Sequence, residues 1–465
     1  MNMTVEPAMP DAAARLERLP MTGYQRGIFL IIATAWLFDS MDLAAMTFML
    51  GSIRADLGLT TAQAGLAASA SFIGMFFGAS IAGLAADRFG RKPVFQVSMI
   101  VWGVGSLLCG LSQGYSDLFV YRVILGVGMG MELPVALAMV SEFIPAAKRG
   151  KYTAILEGFL PVGYVCAGIL IYLMLPLVNW RGIFIILAVP SVFLLAIRRW
   201  VPESPRWLEA QGHHDKAGAV LGQIEEKVRG RLAEGVLPPV KTGARALSVT
   251  GAPAARTRFW DSIAELWHRP YGHRTLMIWI VWFFTMIGYY GLTSWLGALL
   301  QESGYDVSKS ILYTVLMSAA GIPGFMFAAW FLEAVGRKKA AVTMLCCCAV
   351  SAYAYGQCAA LRLPVEQVVA AGAVMQFFFF GMWCVVYAYT PELYPTRARA
   401  TGAGAASSLG RLGSIIGPAG IGFALPVIGQ SGVFIAGAVC FVISALAIWI
   451  MGIETRGRAL EEISR

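Results

Sequence analysis

Gly83-Leu84-Ala85-Ala86-Asp87-Arg88-Phe89-Gly90-Arg91-Lys92 closes one long apolar run and opens the next. An acid, a glycine, an arginine and a lysine return in the same order at Glu333-Ala334-Val335-Gly336-Arg337-Lys338, 246 residues further on. A second set of landmarks keeps nearly the same distance: Glu142, Pro145 and Arg149 precede Glu392, Pro395 and Arg399 by 250 residues each. Matched acids, glycines and prolines at such a period mean that one half of the chain repeats the other. Charge that merely sets topology is the plainer alternative, and it does not require the uncharged matches. The pattern places Asp87, Arg88, Arg91, Glu142 and Arg149 at one corner of the first half. Glu333, Arg337, Glu392 and Arg399 take the equivalent corner of the second. Charge-assisted contacts of this kind suit a gate that holds when its side is closed and breaks when it opens.

Between these landmarks the chain is apolar for about 20 residues at a time, the length of a bilayer-crossing helix. Six such runs fall near 27–50, 63–86, 93–112, 116–141, 152–174 and 181–200. Six more fall near 274–300, 310–333, 340–361, 366–390, 401–425 and 431–452. A membrane barrel would need short alternating strands. The fold class is therefore all-α transmembrane, with 12 helices in two pseudo-symmetric six-helix bundles. Composition agrees: of 465 residues, 58% are hydrophobic and 14% charged, at a mean hydropathy of +0.67. Soluble domains carry about 25% charged residues, and disordered chains need the opposite balance. The expected organisation is a cytoplasmic N-terminus at 1–26, a bundle at 27–200, a cytoplasmic linker at 201–273, a second bundle at 274–452 and a cytoplasmic tail at 453–465.

The net charge of +9 is not a nucleic-acid surface, because it sits in short clusters between apolar runs. Of 36 Lys and Arg, 30 fall on one side, the linker included, and 4 on the other. That bias puts both termini in the cytoplasm of a multi-pass protein of the cell (inner) membrane. Residues 1–26 contain Pro10 and Pro20 and no apolar core, so no cleavable signal peptide is expected. The linker holds Pro238-Pro239, several glycines and weak helical stretches around 206–231 and 258–268. It reads as a connector with little core of its own. Eight cysteines lie in apolar stretches, and His213, His214, His268 and His273 share one polar segment without metal-ligand spacing. No metal, cofactor or enzymatic chemistry is expected, since no triad or phosphate-cradling loop is present either.

With these motifs in hand, the chain resembles the major facilitator superfamily over about residues 25–455. The stretch 83–92 matches that family's signature loop residue by residue. Arg122-x-x-x-Gly126-x-Gly128, Glu142 with Arg149-Gly150, and Glu392-Leu393-Tyr394-Pro395-Thr396-Arg397-Ala398-Arg399 look like its further motifs. Pro202-Glu203-Ser204-Pro205-Arg206 is similar to sugar porters. The seventh span, Ile287-Gly288-Tyr289-Tyr290-Gly291-Leu292-Thr293-Ser294-Trp295, departs from the Gln-Gln and Asn constellation of that branch. Phe38-Asp39-Ser40-Met41-Asp42 resembles the Asp-x-x-Asp of aromatic-acid:proton symporters. With Glu132-Leu133-Pro134 and Arg411, the chain looks closest to the nicotinate (niacin) transporters and the related synaptic-vesicle-glycoprotein-like group. The resemblance implies two bundles rocking about a central midplane site.

Charges inside spans are costly and need a reason. Asp39, Asp42, Glu132, Glu157, Arg122 and Arg411 are such charges. Asp39 and Asp42 stand three apart on neighbouring faces of one helix, which suits one of them to carry a proton. The alternative is an ion pair with an arginine that locks the bundle. Arg122 can reach Asp39, Asp42 or Glu132, and pairing there would couple proton binding to rearrangement. Glu132 precedes Pro134 and is either a proton site or a support for the freed carbonyl. Glu157 reads equally as cavity lining or as structure.

Arg411 has no acid in the membrane core of its own half. It is a natural receptor for a substrate carboxylate, the alternative being a side chain that snorkels to the interface. Trp282, Tyr289, Tyr290 and Trp295 in the seventh span, with Trp383 and Tyr387 in the tenth, can stack a flat ring. Helix and lipid packing is their alternative use. The reading is a proton-coupled importer of a small aromatic carboxylate, nicotinate first, working as a monomer in the bilayer. A sugar or organic-cation symporter and a non-transporting receptor on a carrier scaffold are the alternatives.

Overall fold

The computed structural model describes residues 12–193, 197, 199–232, 235–240, 266–268, 271–361, 363–394 and 398–456. Its helices in chain order are α1 (Ala12–Glu17), α2 (Gly23–Leu57), α3 (Thr61–Phe89), α4 (Arg91–Leu111), α5 (Tyr115–Phe143) and α6 (Ala146–Ala188). The linker carries α7 (Pro205–Ala210) and α8 (His214–Arg229). The second half contains α9 (Tyr271–Glu302), α10 (Val307–Ala319), α11 (Gly321–Val335), α12 (Arg337–Ala360), α13 (Val365–Glu392) and α14 (Arg399–Met451). α10 and α11 form one crossing with a break at Ala320. Large apolar side chains such as Leu84, Leu177, Val427 and Ile450 point outward along these helices, as a lipid-solvated exterior requires.

α6 has 43 residues and α14 has 53, each length enough for two crossings of a hydrocarbon core about 30 Å thick. Each is broken once, at Asn179 (φ 54°, ψ −179°) and at Gly429 (φ 68°, ψ −179°). Packing shows that the chain turns back there. Before Asn179, Gly163 meets Ser40 and Gly168 meets Phe48 on α2. After it, Ser106 on α4 donates to Phe184 O, and Gly103 meets Ser191, so the chain descends α4. On α14, Gly410, Gly413 and Gly417 climb α9 against Trp282, Phe283 and Gly291. Past Gly429, Gly437 meets Leu292 and Ser444 meets Thr285, descending the same helix. Twelve crossings result, and the two reversals are 250 residues apart, the period of the Glu142/Glu392 repeat. Backbone of this kind is nearly glycine-only. Asn179 holds it by accepting from the N–H groups of Arg181 (2.9 Å) and Gly182 (3.3 Å).

The duplication extends to the charged corners. Gly90 (φ 102°, ψ 160°) precedes α4, and Gly336 (φ 96°, ψ 164°) precedes α12. At each, a glutamate from beyond the last crossing of that half caps the following helix. Glu203 accepts from Arg91 N (3.0 Å) and Lys92 N (3.3 Å); Glu454 accepts from Arg337 N (2.8 Å) and Lys338 N (3.2 Å). A side chain at either glycine would collide with its carboxylate. Anions at helix N-termini are favourable, and here they also tie the end of each bundle to its middle.

Both ends of several helices run past the apolar windows of the sequence, as α2 (23–57 against 27–50) illustrates, since polar turns beyond hydrocarbon keep their helical bonds. The linker stretch 206–231 is two helices, divided at Gly212 (φ 78°). The 258–268 stretch lies outside the described residues except for 266–268, as do 1–11 and 457–465. α1 docks on the linker: Arg15 and Arg18 pair with Glu225 of α8 at 2.7 and 2.8 Å, and Glu17 pairs with Arg206 and Arg149. α1, the linker helices and the caps share one side, called here the basic face.

The two caps should respond to acid in opposite senses. Burial resists ionisation of Glu454, but the N–H groups of Arg456, Arg337, Thr455 and Lys338 outweigh it and hold the carboxyl below the ordinary value of 4.5. Its contribution is complete above that value and is lost as pH falls through the lowered one. At Glu203 burial wins over the N–H groups of Ser204, Lys92 and Arg91, with Glu142 adding repulsion, and the carboxyl is pushed up. Folding then favours its protonated form, so acidification through that raised value relieves it. In thermal unfolding, Glu454→Gln is expected to cost more than Glu203→Gln at about pH 7, with the gap closing toward about pH 4. Gly429→Ala, forced into left-handed backbone, should cost about 1–3 kcal/mol by the same measurement.

Candidate functional site

The halves meet along α2 with α9, α3 with α14, and α6 with α10. Contact is tight on the side away from the basic face. A Cβ at Gly65 would lie 2.6 Å from Pro418 O and 3.0 Å from Gly422 Cα. Ser69 donates to Ile415 O (2.6 Å) and accepts from Ala419 N (3.0 Å), and Arg54 pairs with Glu302 across the halves. Toward the basic face the same two helices separate: Gly83 of α3 and Gly404 of α14 both face open space.

Between these regions lies a small cavity of about 30 Å³, lined from α2, α3, α5, α6, α9, α13 and α14. Arg411, Tyr290, Tyr387 and Glu157 supply its polar groups together with Ser407 and Ser414, and Trp36, Phe72 and Met286 are among its apolar walls. Gly410 and Gly413 let α14 press against Trp282, Phe283 and Met286 of α9, which turns residue 411 into the opening. The Arg411 guanidinium has no hydrogen-bond or ion-pair partner among the described residues. Its field reaches Asp39 on the other half, and Tyr290 and Tyr387 beside it.

The buried charges divide into two groups. Asp42 accepts from Trp102 Nε1 (2.9 Å) and lies in the field of Arg122. Arg122 donates to Ala67 O (3.1 Å), with its guanidinium 5.9 Å from the Phe184 ring centroid. This set is enclosed within the first half. Asp39 belongs to the other group, with Glu132 and Arg411 facing it. All four carboxylate oxygens of Asp39 and Glu132 are buried without a hydrogen-bond partner among the described residues. Such burial is costly unless a proton or cation joins them. Of the three acids within reach of Arg122 in the sequence, Asp42 is the one whose field acts on it, without forming an ion pair.

The aromatic residues form one cluster at the back of the cavity. Tyr289 and Tyr290 are 4.9 Å apart between ring centroids, Trp383 is 5.3 Å from Tyr289, and Tyr387 is 5.1 Å from Trp282. Tyr290 meets Phe72 of the first half at 4.5 Å. Of the aromatic candidates from the sequence, Tyr290 and Tyr387 line the cavity itself. Trp295 is spent on helix packing, donating to Pro418 O (3.0 Å), and Trp282 donates to Thr390 (2.9 Å). Phe72, Trp36 and Met286 were not legible as lining, being single apolar residues on long apolar helices.

At the basic face the gate residues pair within each half: Arg91 with Asp87 (2.8 Å) and Glu142 (3.3 Å), Arg337 with Glu333 (2.9 Å) and Glu392 (3.2 Å). Arg149 pairs with Glu17 instead, Arg88 lies over the Phe89 ring, and Arg399 opens α14. Glu203 and Glu454 were missed as partners of these corners. Their signal was a shared Glu-Ser/Thr just past the last run of each half, 251 residues apart. Among the described residues no cluster of three His, Cys, Asp or Glu could hold a metal ion.

Comparison with known proteins adds the following. A family model described as Major Facilitator Superfamily matches residues 28–418. The niacin transporter NiaP of Acinetobacter baylyi is 35% identical over 456 residues, covering 97% of this chain and 99% of its own. The putative niacin/nicotinamide transporter NiaP of Bacillus subtilis is 32% identical, covering 94% and 98%. The inward-open conformation of the xylose transporter XylE from E. coli shares the fold, with a TM-score of 0.73 at 19% identity over 94% of this chain and 99% of that one. Repeat, reversals and central cavity thus meet in one conclusion: the chain is a multi-pass membrane transporter belonging to the Major Facilitator Superfamily.

Proposed function

We propose that the protein imports a small aromatic carboxylate, nicotinate first, together with a proton, by alternating access. The observation that carries this reading is the Arg411 guanidinium on the cavity wall, near Tyr290 and Tyr387 and without a hydrogen-bond or ion-pair partner among the described residues. A guanidinium fork takes a carboxylate in two parallel hydrogen bonds, and the tyrosine faces and Phe72 suit a flat ring. The relatives named niacin transporters support the same substrate class. The Lys and Arg bias supports a cytoplasmic placement of the basic face, in a cell (inner) membrane.

Coupling follows from Asp39. When it is charged, its field competes for Arg411 across the two halves. A proton on Asp39 or Glu132 removes that competitor and frees Arg411 for the substrate carboxylate. Substrate and proton therefore favour each other. Glu157, on the wall that faces Tyr290 and Tyr387, is a further carboxyl in contact with the cargo. Asp42 and Arg122 are enclosed in the first bundle, held by Trp102 and by the Ala67 carbonyl, and lie away from the cargo.

Purified protein in liposomes should accumulate labelled nicotinate when the interior is alkaline, and a protonophore should abolish the accumulation. Indifference to the gradient would remove the symport mechanism, and competition by hexoses would favour the sugar reading. Arg411→Ala is expected to lose nicotinate binding, with Arg411→Lys recovering only part of it. Asp39→Asn should still exchange bound nicotinate while losing gradient-driven accumulation. Asp42→Ala leaves the buried Trp102 indole N–H without its acceptor and should cost about 1–3 kcal/mol in thermal unfolding.

A further inference from the structure

A second cavity lies outside the transport path, where α2 begins. It holds about 450 Å³ and is open on one side, walled by Tyr24, Ile28 and Ile31 of α2, by Trp200, and by Lys227 and Arg231 at the end of α8. Lys227 Nζ stands 5.3 Å above the centre of the Tyr24 ring. Arg231 reaches over Gly23, its Nη1 3.0 Å from where a Cβ there would sit. Neither cation has a carboxylate partner among the described residues. Glu225, on the same helix, is taken by Arg15 and Arg18.

The two ends of this cavity differ in kind. Its rim is cationic and belongs to the linker, while its floor is apolar and belongs to the first crossing. Tyr24 and exposed Trp200 mark the boundary between them, the depth at which tyrosine and tryptophan collect in membrane proteins. A free metabolite would gain little from the isoleucine floor, and an acyl chain alone would leave both cations unused. Basic pockets beside spans on the positively charged side of a protein take lipid headgroups. We propose that this cavity binds one anionic phospholipid, with its phosphate between Lys227 and Arg231 and an acyl chain along Ile28, Ile31 and Trp200. The lipid then bridges α8 to the start of α2 and fixes the linker against the membrane.

The test uses the full-length protein in nanodiscs of phosphatidylcholine with or without phosphatidylglycerol. Native mass spectrometry counts retained lipid, and thermal unfolding measures protection. Phosphatidylglycerol should be retained in preference and should raise the unfolding temperature. The K227Q/R231Q variant should bind it about thirtyfold more weakly, as the loss of two surface cations implies. Trp200→Ala should weaken retention with the rim charges intact. R229Q removes a cation from the same helix outside the cavity and should behave as wild type. Equal retention by K227Q/R231Q and wild type would overturn the proposal, as would an equal loss in R229Q. Protection by inorganic phosphate alone would overturn the lipid as the source of the anion.

Discussion

Charge in hydrocarbon is tolerated only when something answers it, and the interior of this protein is arranged around that constraint. Inside the first half Asp42 is met by the Trp102 indole and Arg122 by the Ala67 carbonyl, and each lies in the other's field without an ion pair between them. Asp39 meets repulsion from Glu132 and Asp42 of its own half and finds its opposite charge, Arg411, across the boundary between the halves. The first set can stay unchanged through any rigid-body motion. The second cannot, because the distance between its members depends on how the halves sit. In the proposed transport cycle, an interface with its electrostatics left open is where cargo and motion would be linked.

The remaining architecture keeps each half rigid enough for that link to matter. Glu203 and Glu454 bind the far end of each half to the helix start at its middle, and Arg91 and Arg337 fasten the same corners through Asp87, Glu142, Glu333 and Glu392. Close glycine contacts between helices within a half, such as Gly74 on Val123 and Gly324 on Phe377, bring backbones together without lubricating side chains. Stiff halves and an uncommitted seam are complementary features of one duplicated unit.

Most of the fold was legible because it is written in lengths and repeats. Apolar runs of bilayer length and offsets of 246 and 250 residues specify twelve crossings in two units. The reversal residues lie in the gaps between the runs. The site was legible in part. Arg411, Tyr290 and Tyr387 stood out because a charge and polar rings amid glycine-rich helices are anomalous in hydrocarbon. Asp39 and Asp42 could not be told apart, since a three-residue spacing fixes their relative direction but not their neighbours. Trp282 and Trp295 carry the same aromatic signal as Tyr290, yet their indole N–H groups are consumed by Thr390 and Pro418. Glu203 and Glu454 act on backbone N–H groups more than 110 residues away in sequence, a partnership that no local pattern records.

One pairing on the seam has a further meaning. α3 and α14 run antiparallel, with Gly65 set on Gly422 and Ser69 on Ala419. In that register each step along α3 is one step back along α14. Gly83 is eighteen residues past Gly65, and Gly404 is eighteen before Gly422, so these two exposed glycines are counterparts. The helices form a pair of shears whose blades touch near one tip and gape at the other, with the same featureless edge at both. A protein that needed only one arrangement would have no reason to keep the open edge bare.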